Sequence, residues 1–160
     1  MSYDLYRLEH WAAPLLQKLS PAERRRLTLA IARELLAAQR RSMTVQAAPD
    51  GAPWQPRKPP LREARGKIKR KAQAAKARQP MMRGLRRAKW LKARATPEQA
   101  VVEFVGRAER IARLHHHGGP DRVEPGEPVY DYPARPLIGI TPEMAERVLA
   151  LIVEHLARDR

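Results

Sequence analysis

Apolar side chains recur at helical spacing in several parts of this chain. Leu5, Leu8, Trp11, Ala12, Leu15, Leu16 and Leu19 fall on one stripe, which predicts a helix over residues 3–19 that Pro14 kinks or splits. A second helix starts at Ser20. Ser20 can cap it, Pro21 suits the first helical position, and Glu23 completes a capping box. It runs to about Arg41 on a stripe of Leu27, Ile31, Leu35 and Ala38. Arg24, Arg25, Arg26, Arg33, Arg40 and Arg41 lie largely off that stripe and read as a solvated face. The last helix opens at Thr141, Pro142 and Glu143, and Val148, Leu149, Ile152, Val153 and Leu156 line its apolar side together with Met144 or Ala145.

The middle of the chain is punctuated differently. Residues 46–60 read as a loop, with Asp50-Gly51 as a turn and Pro53, Pro56, Pro59 and Pro60 keeping the backbone extended. Trp54 stands among those prolines, where it either plugs the core edge or anchors a partner. Residues 81–88 form a short helix or a turn. Residues 90–96 and 99–105 predict two strands around a turn at Pro97-Glu98, with Val101, Val102, Phe104 and Val105 as strand formers. Residues 107–117 predict a short helix with Ile111 and Leu114 facing inward and Ala108 beside Ile111, ended by Gly118-Gly119-Pro120. A polar loop over 119–129 follows. Residues 129–140 read as an extended segment that Pro133 and Pro136 confine to a sheet edge. The sum is a single α+β domain over residues 1–160: an N-terminal helix pair, a projecting arm, a small antiparallel sheet and a C-terminal amphipathic helix.

Charge changes this picture in one place. The chain has 32 Lys and Arg, 17 Asp and Glu, and a formal net charge of +15. Residues 57–94 hold sixteen of the basic residues and one acid, Glu63, so this quarter carries the whole net charge and the rest is neutral. Within it, the arm over residues 57–80 is rich in Ala, Lys, Arg and Gln, yet only Leu61 and Ile68 are large and apolar. A helix there would have no face to bury, so it reads as an arm projecting from the body. Arg65, Lys67, Lys69, Arg70, Lys71, Lys76 and Arg78 make it a candidate surface for nucleic-acid phosphates or an acidic protein, with a merely solvated arm as the plain alternative. The block shows no helix-turn-helix spacing and no stacking aromatics before Trp90, so it does not predict base reading. An interfacial membrane helix would need an apolar face.

Composition excludes several chemistries. The absence of Cys removes disulfides, Cys-ligated zinc, iron–sulfur clusters and thiol catalysis. No run approaches the ~20 apolar residues of a membrane span, and the first residues do not pattern as a signal peptide. His115, His116 and His117 point about 100° apart on a helix and cannot share one tetrahedral ion, so no metal site is expected. No nucleophile elbow or phosphate loop is present. The expectation is a protein without catalytic residues, cofactor or small-molecule substrate.

Three stretches, in order, carry a resemblance. They are residues 50–58 (DGAPWQPRK), residues 105–115 (VGRAERIARLH) with Gly118 following, and residues 132–140 (YPARPLIGI) leading into the last helix. Together with the junction at Ser20, they resemble the phage virion morphogenesis or tail completion family of contractile-tailed phages, including Mu-like phages. The resemblance implies a structural virion protein acting late in tail assembly, at the head-proximal end of the tail or the neck. It implies a homo-oligomeric ring, hexameric to match the tail, with neck, tail tube or tail terminator proteins and DNA in the channel as neighbours. It places the protein in the virion, and in the host cytoplasm during assembly. Trp54, Arg57, Arg107, Arg110, Tyr132 and Arg135 stand in these stretches and are the candidates for subunit or partner contacts, with ion pairing inside the fold (to Glu103 or Asp131, for instance) as the alternative for the last arginines. A DNA-binding accessory protein, monomeric or dimeric, is the competing expectation.

Overall fold

The computed structural model describes His10, Ala13, Pro14, Gln17 and residues 19–57, 79–122, 126 and 129–158. The helix expected over 3–19 lies mostly outside the described residues. So does the arm with Arg65, Lys67, Lys69, Arg70, Lys71, Lys76 and Arg78.

Helix α1 spans Pro21–Thr44. Its start is the predicted capping box. Glu23 N–H donates to Ser20 Oγ at 3.3 Å, and Ser20 N–H donates to Glu23 Oε2 at 2.7 Å. Hydrogen bonding from the Ser20 side chain, and then from its backbone N–H, holds the Glu23 carboxyl below its ordinary range. The helix runs a turn beyond Arg41. Strands β1 (Leu91–Ala95) and β2 (Ala100–Phe104) form the predicted antiparallel hairpin, with Leu91 opposite Phe104 and Ala95 opposite Ala100. Thr96 Oγ1 accepts from the N–H groups of Glu98 and Gln99 and so shapes the turn. Thr28 Oγ1 donates to the Thr96 carbonyl at 2.6 Å, tying the hairpin tip to α1. Residues 81–88 are turns rather than helix.

Helix α2 spans Arg107–His117. Its packing differs from expectation. Ala108 and Ala112 are buried, whereas Ile111 is 41% exposed. The two alanines lie one turn apart, and their small side chains let the helix approach the hairpin closely. The expected single sheet is two separate ribbons. Gly119–Asp121 (β3), read above as the start of a loop, pairs with Tyr130–Tyr132 (β4). Beyond β4 the chain forms no further strand through Ile140. Helix α3 spans Pro142–Arg158, and Thr141 Oγ1 accepts from Met144 N–H at its start.

The main core gathers Met43, Trp54, Leu85, Leu91, Phe104, Ala108, Ala112 and Leu137 between α1, the hairpin and α2. Met43, Leu91 and Leu137 are fully enclosed. Truncating one of them to Ala would cost about 2–5 kcal/mol. A second cluster joins Leu27 and Ile31 of α1 to Val148, Ile152 and Leu156 of α3. Arg40 leaves the expected solvated face and donates to the Leu91 carbonyl at 3.3 Å. Among the described residues no helix is long and apolar enough to cross a membrane.

Candidate assembly site

Residues 50–57, 105–115 and 132–140, far apart in sequence, meet in space. The indole N–H of Trp54 donates to the Pro136 carbonyl at 3.0 Å. Arg135 sends Nε to the Gln55 carbonyl at 2.8 Å and Nη2 to the Pro56 carbonyl at 3.2 Å. Its own backbone N–H donates to the His115 carbonyl at 2.7 Å, at the end of α2. Leu137 N–H donates to His116 Nδ1 at 3.2 Å. The buried cation and the buried indole therefore lock two of the segments through backbone carbonyls, and the backbone N–H of Arg135 ties in the third.

Burial shapes the electrostatics of this knot. Arg135 is 5% exposed, and desolvation, with Arg57 as a smaller repulsive neighbour, lowers its pKa while a guanidinium stays charged at neutral pH. Burial lowers the His115 pKa, and Arg135 adds to it. Burial and then His117 lower that of His116. Gly118 ends α2 at φ 74°, where a Cβ would stand 2.7 Å from Ala134 N and from Tyr132 O. The ribbon can close against the helix end only because that Cβ is missing.

The base of the arm sits beside the knot. Arg57 Nη2 donates to the Pro80 carbonyl at 3.5 Å, across the two ends of the arm. Gln46, in the left-handed region at φ 63°, brackets the next residue. Its amide donates to the Met81 carbonyl and accepts from Met81 N–H. Arg86 reaches Thr44 Oγ1. Arg57 and residues 79–82, on either side of the basic stretch in sequence, thus belong to a braced body.

The candidate residues fall into two groups. Trp54 and Arg135 are spent inside the protomer, as core plug and clamp. Tyr132 is half-buried, edge-on to His115 at 5.3 Å. Arg57, Arg107 and Arg110 are exposed. Arg110 pairs with Asp121 at 2.6 Å, on the facing ribbon, rather than with Glu103 or Asp131. Glu103 instead holds Arg94 at 2.8 Å across the hairpin. Arg107 lies over the Trp90 ring at 5.1 Å, and Lys89 at 4.7 Å. Sequence reasoning missed Gln39 and Gln46. Gln39 is buried inside α1 and makes a two-way amide bond with the backbone of Gly139. Neither glutamine carries a local signal, because its partner is backbone.

The family model described as phage virion morphogenesis matches residues 3–157. The chain belongs to the phage virion morphogenesis family. It is also 37% identical, over 97% of its length and 99% of the relative's, to tail completion protein S of Escherichia phage P2. No solved structure matches the chain. The family match spans all three of the stretches that converge on Arg135. The knot is thus built from the stretches that carried the family resemblance, and the arm base lies against it.

Among the described residues no three His, Asp or Glu side chains stand close enough to share a metal ion. His116 is already engaged by Leu137 N–H. The histidine run sits at the end of α2, where His115 lies edge-on to Tyr132 and His116 edge-on to His117.

Proposed function

We propose that this chain is a structural virion protein of tail completion, present as a ring at the head-proximal end of the tail or neck. The observation that carries the reading is its near full-length kinship with a tail completion protein. The geometry is compatible with an assembly role. The body is braced by backbone-directed clamps, and the basic arm is pinched at its base by Arg57 and Gln46. A ring of such subunits, hexameric to match a tail, would repeat that basic charge around one axis as a collar. The collar would meet neck, tail tube or terminator proteins, or DNA in the channel. The chain acts by binding rather than by catalysis.

Light scattering on the purified protein and mass spectrometry of purified particles test this together. A ring mass in solution or in extracted particles supports the reading. A chain that stays monomeric at all concentrations and is absent from particles overturns it, in favour of a free DNA-binding accessory.

A further inference from the structure

Among the cavities on the described surface, the one at the arm base differs in charge. One, of about 510 Å³ beside α2, mixes Glu103 and Glu109 with Arg113. Another, of about 450 Å³ between α1 and α3, mixes Glu34 and Glu143 with Arg41 and Arg147. The cavity at the arm base, of about 650 Å³, is lined by Arg57, Arg83, Arg87 and Arg107 together with the apolar Leu85, Trp90 and Ile111. No acid lines it among the described residues.

Two further features give this groove its chemistry. Ile111 is 41% exposed, an apolar side chain turned out of the core because Ala108 and Ala112 took the inner face of α2. Arg83 and Arg87 are exposed and form no ion pair among the described residues. The groove is therefore an apolar floor under a cationic rim. Water on the floor is released only by an apolar ligand group, and the rim favours an anionic one.

We propose that this groove receives an acidic peptide segment of a partner protein, which sets an apolar side chain against Ile111, beside the covered Trp90 ring, while its carboxylates meet Arg83, Arg87 and Arg107. Nucleic acid fits less well. Phosphates need the rim but not the floor. Base stacking needs a bare ring face, and Arg107 and Lys89 already lie over Trp90. This ligand chemistry does not depend on where in a particle the chain sits.

The test separates the groove from the basic arm, which would attract any polyanion. The full chain is titrated with a fluorescein-labelled peptide of Glu and Leu residues spaced by Gly and Ser, and with the same peptide carrying Ser for every Leu. Anisotropy gives affinity, and nitrogen–proton NMR of the unaltered chain follows the Trp90 indole and the Ile111 amide. The Leu peptide is expected to bind about tenfold more tightly than the Ser peptide and to shift both resonances. Ile111→Ser is expected to abolish that difference, and Arg83→Glu with Arg87→Glu to weaken the Leu peptide at least about tenfold. Replacing Lys67, Lys69, Arg70 and Lys71 with Gln is expected to weaken both peptides equally and preserve the difference. Equal binding of the two peptides, or an unmoved Trp90 indole, overturns the proposal. So does mixed-sequence duplex DNA that shifts Trp90 and Ile111 and displaces the Leu peptide, which would assign the groove to nucleic acid.

Discussion

Arg135 donates from Nε to the Gln55 carbonyl at 2.8 Å, across 80 positions of sequence. The bond joins a loop before the arm to a segment before the last helix. A second bond, to the Pro56 carbonyl, uses the fork of the same guanidinium. Among the described residues no carboxylate pairs with this buried charge, so carbonyl dipoles and the indole-bound loop hold it in place.

Removing the fork should therefore cost more than removing the charge alone suggests. Arg135→Ala leaves two carbonyls without their donor and is expected to cost about 2–3 kcal/mol. Arg135→Lys keeps the charge but reaches one carbonyl at most, and should recover less than half of that. Urea unfolding followed by circular dichroism measures both. Equal stability of the Ala variant and the parent would remove Arg135 from the fold's supports.

Two neighbouring glycines separate backbone strain from steric clash. Gly118 (φ 74°) and Gly119 (φ 112°) are both left-handed, but a Cβ meets the backbone of Tyr132 and Ala134 only at Gly118. Gly119→Ala is expected to cost about 1 kcal/mol, the conformational term. Gly118→Ala should cost at least about 2 kcal/mol more, because backbone on the facing segment must move. Thermal unfolding of the two variants gives the difference directly.

Stability should fall on mild acidification. Burial lowers the pKa of His115 and His116 from the ordinary 6.5, so the unfolded chain binds their protons first as pH falls. The stabilisation is complete above about pH 6.5 and is lost as pH drops through the lowered folded values. Protonating His116 also removes the acceptor for Leu137 N–H. His116→Asn, whose amide oxygen can take the place of Nδ1, should flatten this part of the pH profile. Urea midpoints measured between neutral pH and about pH 5 check it.

Neutralising Lys67, Lys69, Arg70 and Lys71 together with Gln should leave the unfolding midpoint unchanged and impair particle assembly. Contacts made by that charge should also weaken with salt, since exposed charges are screened beyond about 8 Å at physiological ionic strength. Complementation of a particle lacking the parent chain gives the readout. Normal particle yield and infectivity from the variant would show the arm's charge to be dispensable.

Much of the framework is legible along the chain because its causes are local. Ser20 and Glu23 start α1 by bonding within one turn. Strand formers beside the turn at Pro97-Glu98 predict the hairpin, Thr141 marks the last helix, and the charge of residues 57–94 can be read directly. Tertiary structure decided the rest. Arg135 and Gln39 found backbone carbonyls as partners, and a carbonyl carries no residue identity for a sequence to display. Ala108 and Ala112 displaced Ile111 from the core because close approach to the hairpin favoured the smaller face. The short β3–β4 ribbon formed because Gly118 let two segments touch. Local propensity thus set the elements and the charge. Which polar groups became clamps, and which arginines came to share a groove, depended on contacts that exist only after the chain has closed on itself.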